Sequence, residues 1–188
     1  TLLSVGVSQW AWTSTGALYI NHSGVWGRTS TFLERDPAAW HHLLISIDSS
    51  QAVAADRMYT WLNGELLTGV WSSDVVLDAT LPWLNTGAAL KIGGNAGGAY
   101  PDNYFAEMVL VDGRQPDVSE FGEFDANGNW VPIDVSGIYA TIGTNGGHYD
   151  LYGDGTLSAT TGVGADLSGK GNHFTPSGIS VTAGVTND

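Results

Sequence analysis

The sequence contains no cysteine, and only 6 of its 188 residues are lysine or arginine, against 19 aspartates and glutamates. Without cysteine, the chain can form no disulfide, no thiolate zinc site and no cysteine nucleophile. A formal net charge of −13 disfavours contact with nucleic acid phosphates and with anionic lipid surfaces, so we expect neither partner. No apolar run approaches the roughly 20 residues that a transmembrane helix requires, so we expect no membrane association.

The residues that are abundant indicate β structure. Short runs rich in valine, isoleucine, threonine, tyrosine and tryptophan are interrupted by glycine, asparagine, aspartate or proline about every eight to twelve residues. Candidate strands begin near Leu2, Gly16, Ser30, Trp40, Asp56, Ala89 and Asn103. We therefore predict an all-β fold, an antiparallel β-sandwich in which helix is confined to short turns. Two such turns are expected, from Asp36 to Trp40 and from Asp117 to Phe124, and Pro116 and Asp117 supply helix-start signals for the second.

Alternation along the strand candidates predicts which side chains form the core. Successive residues of a strand point to opposite faces, and both faces of the run that begins at Trp40 are substantially apolar. We therefore place this run centrally in the sandwich. The side chains expected to be largely buried are Trp40, His42, Leu44, Met58 and Leu62. The dipeptide Asn63-Gly64 predicts a tight two-residue hairpin.

The composition changes after about Val135, where the chain becomes dense in glycine, threonine and aspartate. A stretch of roughly 50 such residues is too short to bury a core of its own. We therefore assign residues 1–134 to the sandwich and residues 135–188 to a loop-rich C-terminal extension that packs on the same domain. Because the chain begins at Thr1, we also expect it to be a piece of a longer protein.

Three groups of motifs, in this order along the chain, resemble those of a known family. A W-x-H start and an N-G turn are carried by Trp40, His42, Trp61, Leu62, Asn63 and Gly64. An I-G pair, an A-E strand and a D-G…F-G-E stretch are carried by Ile92, Gly93, Asp102, Ala106, Glu107, Asp112, Gly113, Phe121, Gly122 and Glu123. A glycine-rich tail pattern is carried by Gly143 to Gly146, Ser168, Gly169, Gly171, Asn172, Thr175 and Pro176. From about Phe32 to Ser180 the chain resembles concanavalin A-like lectin/glucanase domains of the laminin-G type, as found in tailed-phage virion proteins.

The resemblance implies a jelly-roll sandwich and a place in the virion. It implies a structural or appendage protein, such as a tail fibre, whose lectin-like module binds a host surface glycan. The alternative is a capsid or tail decoration protein that binds other virion proteins. In either case we expect a homo-oligomer whose partners are virion proteins, a host glycan, or both.

Two candidate sites follow from residue types. Aromatic rings stack on the C–H faces of sugars, and Trp10, Trp12, Tyr19 and Trp26 are crowded into one N-terminal stretch. These residues are the candidate glycan site, and the alternative is that their rings pack in the core or in an interface. Asp125, Asn127 and Asn129 follow a D-x-N-x-N spacing that can supply oxygen ligands to calcium. The alternative for these three residues is an Asx-rich hairpin turn, and we expect no other cofactor.

Two apparent enzyme motifs are incomplete. The G-x-x-x-x-G-K stretch from Gly164 has Gly171 where a magnesium-binding serine or threonine should stand. The E-x-D stretch from Glu123 has Gly128 where a glucanase would have its acid/base carboxylate, and retaining hydrolysis needs two carboxyl groups. We therefore predict a protein that is not an enzyme, with glycoside hydrolase as a remote alternative.

Overall fold

The computed structural model describes residues 2–5, 8–22, 26–36, 38–67, 73–81, 89–94, 104–151 and 157–177, with only the backbone of residues 26–29. Its strands are β1 (Leu3–Val5), β2 (Ser8–Trp12), β3 (Ala17–His22), β4 (Trp26–Leu33), β5 (Leu43–Ile47), β6 (Met58–Leu62), β7 (Glu65–Leu66), β8 (Leu90–Ile92), β9 (Met108–Leu110), β10 (Gly122–Phe124), β11 (Trp130–Pro132) and β12 (Gly147–Tyr149). All pairings among these strands are antiparallel. The prediction of an all-β antiparallel chain is confirmed.

The described strands form four sheets in two compact units. A five-stranded sheet has the order β4-β3-β2-β1-β8, and a three-stranded sheet has the order β5-β6-β7. Two further sheets are the pairs β10-β11 and β9-β12. The first unit comprises Thr1–Asn103 with Gln115–Asp134, and the second comprises Tyr104–Arg114 with Val135–Asp188.

The core of the first unit lies between the five-stranded and the three-stranded sheets. Leu18 and Ile20 of β3 cluster with Met58 of β6 and with Val75. The partly buried side chains that pack against this cluster include Trp10, Trp12, Leu43, Ile45 and Ile47. Apolar side chains spaced by two residues therefore come from both sheets, as expected when two sheets bury their facing surfaces. The arrangement is consistent with a β-sandwich.

Helix is limited to short 3-10 turns in the described residues, at Ala54–Arg57, Val118–Glu120 and Ser136–Ile138. The second turn begins where the sequence predicts it, because Asp117 and Glu120 form a reciprocal capping box. None of the helices in the described ranges has the length and hydropathy to cross a bilayer.

The hairpin predicted at Asn63-Gly64 joins β6 to β7. Both residues have positive φ, 49° for Asn63 and 77° for Gly64, as a type I′ turn requires. The side chain of Asn63 holds the turn against the start of β5, because its Oδ1 accepts a hydrogen bond from the His42 N–H at 2.8 Å. A second hydrogen bond joins the same two residues, because the Asn63 backbone N–H donates to the His42 carbonyl at 2.8 Å.

The burial prediction is confirmed for Met58 and Leu62 and is wrong for Trp40. Met58 and Leu62 are buried, His42 and Leu44 are half-buried, and Trp40 is 65% exposed. The prediction for Trp40 is wrong because β5 begins only at Leu43. Upstream, the chain turns at Asp36, whose carbonyl accepts from the Ala39 N–H at 3.2 Å. Strand alternation therefore cannot be extended back to Trp40.

The second unit is organised around the carboxylate of Asp166. Its Oδ1 accepts from the N–H and the hydroxyl of Ser168 at 2.9 and 2.6 Å and from the His148 N–H at 3.1 Å. Its Oδ2 accepts from the Asn172 N–H at 3.0 Å. The neighbouring Tyr149 is 1% exposed, and its hydroxyl donates to the Asn172 carbonyl at 2.5 Å. The loop that carries the incomplete G-x-x-x-x-G-K motif is thus tied to β12 through Asp166.

A second polar chain in this unit joins three titratable side chains. His148 Nε2 lies 2.7 Å from Glu107 Oε1, and His148 Nδ1 lies 2.5 Å from the Tyr139 hydroxyl. The two ring nitrogens of His148 thus each have a polar partner, one a carboxylate and the other a phenol hydroxyl. The buried histidine of β12 is therefore satisfied on both ring nitrogens.

Asp166 makes the stability of the second unit sensitive to acid. Burial alone would raise the pKa of Asp166, but hydrogen bonds from Ser168, His148 and Asn172 outweigh burial and lower it. A carboxylate with a lowered folded-state pKa contributes stability above its unfolded pKa of about 3.9, and this contribution is lost as the pH falls through the folded pKa. We expect the free energy of unfolding of the second unit to decrease once the pH is lower than about 4. Urea titrations at several pH values measure this decrease. In Asp166→Asn this part of the pH dependence should disappear, and an unchanged pH profile would contradict the assignment.

Candidate functional site

An open cleft of about 740 Å³ lies on the first unit. Four segments line it: the end of β4, the residues just before β5, the β6-β7 hairpin with Leu67, and the β10-β11 hairpin. Two of these segments are tight hairpins and one precedes a strand, so paired backbone holds the walls in place. The volume is within the range of about 300 to 1,000 Å³ that is usual for ligand-binding pockets.

Trp130 of β11 is one of the residues that line the cleft, and its ring packs closely against both hairpins. A Cβ atom at either Gly64 or Gly122 would overlap its indole ring, so both backbones touch the ring directly. The ring centroid lies 5.7 Å from that of His42 and 5.1 Å from that of Phe124. Close packing on these sides fixes the orientation of the ring and joins the two hairpins that line the cleft.

Large apolar side chains on the cleft walls remain exposed to solvent. Trp40 is 65% exposed, Phe124 52%, Leu66 46% and Phe32 36%. Exposed apolar side chains scattered singly are ordinary, but a group of them around one concavity indicates a binding surface. The three aromatic rings offer flat apolar faces on which a ligand can stack.

Polar side chains also line the cleft, and hydrogen bonds hold the two asparagines among them. Asn63 Nδ2 lies 3.4 Å from His41 Nδ1, and His41 Nε2 lies 3.0 Å from Glu34 Oε2. Glu34 is itself fixed, because its Oε1 accepts from the N–H groups of Arg35 and Asp36 at 2.8 and 2.6 Å. On the opposite wall, Asn129 Nδ2 lies 3.3 Å from Asp125 Oδ2. The cleft therefore offers oriented amide groups beside stacking surfaces.

The aromatic cluster predicted near the N-terminus does not form one surface. Trp10 pairs with Ile20 and Trp12 with Leu18, and these two tryptophans face the core. Tyr19 pairs with Ala11 and lies on the opposite face of the same sheet. The side chain of Trp26 lies outside the described residues. Among the rings that are described, the alternative of core packing applies to Trp10 and Trp12.

The stretch with the calcium-like spacing is the turn of the β10-β11 hairpin. Asp125 Oδ1 accepts from the N–H groups of Asn127 and Asn129, both at 2.8 Å, and the Asp125 N–H donates to the Asn129 carbonyl at 2.8 Å. The backbone hydrogen bond from Asn129 is the largest of the effects that lower the pKa of Asp125. This geometry favours the Asx turn over a calcium site, because both lone pairs of Oδ1 are already used. No group of three or more metal-binding His, Asp or Glu side chains is found within the described ranges.

The sequence does not predict the cleft, because its walls come from four separated segments; Asn129, a candidate calcium ligand, is one of the residues that line it. Trp40 was assigned to the core by alternation, and Phe32 and Leu66 carry no motif that distinguishes them from strand residues. The available signal was the Asp36-Pro37 pair, which predicts a turn before Trp40 and so interrupts the strand pattern.

Comparisons with models of known protein families, with curated proteins and with solved structures give no match.

Proposed function

We propose that the first unit is a carbohydrate-binding module and that the cleft is its binding site. The observation that carries the proposal is the Trp40 ring, which is 65% exposed at a concave surface already lined by Phe32 and Phe124. The C–H face of a pyranose stacks on such a ring, and its hydroxyls need directed donors and acceptors. Asn63 and Asn129 supply these groups in fixed orientations.

We further propose that the module belongs to a virion structural or appendage protein of a tailed phage and contacts a host surface glycan. The motif order between Phe32 and Ser180 supports this proposal, and so do the antiparallel sheets. In this proposal the fold is a concanavalin A-like jelly roll, the protein is located in the virion, and the module is repeated in a homo-oligomer. Several copies on one appendage would raise the avidity for a repetitive glycan surface.

Binding without turnover is part of the proposal. Glu65 is exposed on the cleft wall, whereas Glu34 lies behind His41 and is engaged by two backbone N–H groups. A glycosidase needs one carboxyl group as the acid and another as the base or nucleophile on the two sides of the scissile bond. We therefore expect bound oligosaccharides to be recovered intact after long incubation.

A second candidate function is the decoration of a capsid or tail through contacts with other virion proteins. An exposed apolar group favours it: Val53, Val76 and Leu77 are 59%, 49% and 48% exposed. The Arg57 guanidinium draws their segments together by donating to the carbonyls of Gln51 and Val75 at 2.7 and 3.0 Å. If this function is the main one, Leu77→Ser should release the protein from particles, whereas Trp40→Ala should leave it attached.

The test of glycan binding is a panel of oligosaccharides presented to wild type and to Trp40→Ala. Because the ring is exposed, its removal should leave the thermal midpoint unchanged while weakening binding by about 10- to 100-fold, on the scale of about 1 to 3 kcal/mol for stacking of a base on an aromatic ring. Trp40→Phe should retain part of the affinity. The control is Tyr104→Ala, which removes a 76% exposed ring that does not line the cleft.

The outcomes separate the candidates. Binding that Trp40→Ala loses and Tyr104→Ala retains supports a glycan site in the cleft. Binding that is indifferent to Trp40 places the site elsewhere and overturns the assignment. Absence of binding across the panel, together with release from particles by Leu77→Ser, supports the decoration function instead.

A further inference from the structure

The charged groups of the cleft are of one sign. Glu65 lines the cleft with an exposed carboxylate, and Glu34 lies directly behind His41. Of the described residues that line the cleft, none is lysine or arginine. The described arginine nearest to a lining segment in the sequence is Arg35, which follows Glu34, is exposed and is not among the residues that line the cleft.

Proteins that bind carboxylates or phosphates usually place arginine or lysine against them. A ligand carboxylate in this cleft would find no such partner among the described lining residues and would lie near Glu65. The wider field has the same sign, because the whole chain carries a formal net charge of −13. Binding of an acidic sugar would therefore be weakened twice, because its anionic group loses hydrating water on entering the cleft and is repelled by the negative charges there.

We propose that the cleft is selective for neutral glycans over acidic ones and that Glu65 is the residue that determines this selectivity. The inference rests on the proposed function, since it concerns the same cleft. The sugars that the cleft excludes are those that bear a carboxylate, a phosphate or a sulfate. Glu65 acts by repelling the anionic group of such a sugar.

The experiment uses matched probes that differ in charge. The neutral probes are tetrasaccharides of β-1,4-linked glucose, mannose, galactose and N-acetylglucosamine. The acidic probes are the same molecules oxidised at C6 to uronates. Each is titrated into wild type, Glu65→Gln, Trp40→Ala and the control Glu123→Gln. The control removes the same charge from an exposed strand position outside the cleft lining.

In wild type at low ionic strength, each uronate should bind at least about tenfold more weakly than its neutral parent. The difference should shrink in about 0.5 M salt, because salt screens repulsion between exposed charges. Glu65→Gln should reduce the difference to within about threefold at low salt by strengthening the binding of the uronates. Glu123→Gln should leave the wild-type difference in place.

The result that overturns the inference is equal, Trp40-dependent binding of neutral and uronate probes, which leaves the proposed function standing. A persistent difference in Glu65→Gln would assign the discrimination to shape and would equally overturn the role of Glu65. If no probe binds in a Trp40-dependent way, the proposed function itself fails and the inference fails with it.

Discussion

Asp166→Ala should destabilise the second unit by about 3 to 5 kcal/mol. The carboxylate accepts the N–H groups of His148, Ser168 and Asn172, together with the Ser168 hydroxyl. Each buried donor left without a partner costs about 1 to 3 kcal/mol, and His148 is buried. The loss should appear as faster amide exchange at His148 and Asn172. Tryptophan fluorescence would report the first unit instead, since no tryptophan occurs in the ranges of the second.

The matched control for this variant is Asp112→Ala in the same unit. Asp112 Oδ2 accepts one side-chain hydrogen bond, from the exposed Asn145 at 2.8 Å. Its removal should cost less than about 1 kcal/mol, because water can replace the lost bond at Asn145. Equal protection of the His148 and Asn172 amides in the two variants would contradict the central place of Asp166.

Gly64→Ala should destabilise the first unit by about 2 to 5 kcal/mol. Two costs add at this position. Its φ of 77° is strained for any residue with a Cβ atom, which costs about 1 to 2 kcal/mol. The added methyl group would also overlap the Trp130 ring, and overpacking of this kind costs about 1 to 3 kcal/mol. Urea unfolding followed by tryptophan fluorescence measures the sum.

Two further glycines separate these costs. Gly128 has a φ of 82° with nothing within 4 Å of an added Cβ, so Gly128→Ala reports strain alone. Gly122 has no positive φ, but an added Cβ would lie 2.5 Å from the Trp130 ring, so Gly122→Ala reports overlap alone. The loss in Gly64→Ala should exceed that in Gly128→Ala. Equal losses would show that the Trp130 ring moves aside freely.

Local signals in the sequence predicted local structure well. Asn63-Gly64 predicted a hairpin because few dipeptides tolerate two consecutive positive φ values. Asp117 predicted a turn because its carboxylate can cap the next N–H groups, and Glu120 completes the capping box. In both cases the information lies within four residues, so no knowledge of the tertiary fold was needed.

The site depended on information that a local pattern does not contain. For Trp10 and Trp12 the sequence allows either a glycan site or core packing, and in the structure Leu18 and Ile20 of β3 lie beside them on the core face. Trp40 is the opposite case. Alternation predicts that its ring is buried, but the strand begins three residues later, at Leu43, and the ring is exposed. Exposure of a large ring is set by which elements cover it, and that follows from the tertiary arrangement.

The second unit illustrates the same limit at longer range. Strand β12 pairs with β9, so that His148 lies opposite Val109 across nearly forty residues of sequence. The composition after Val135 predicted loops, and the short strand within it has only three residues. A pairing between two three-residue strands has too little periodicity to be recognised from sequence alone.

The central claim is that the cleft beside Trp40 binds sugar. Its most direct test is the response of the eight indole N–H signals in the NMR spectrum of isotope-labelled protein, each assigned by a single Trp→Phe substitution. A saturating neutral oligosaccharide should shift the signal of Trp40 and leave those of Trp10 and Trp12 in place. A shift of the Trp10 or Trp12 signal while that of Trp40 stays fixed would contradict the claim.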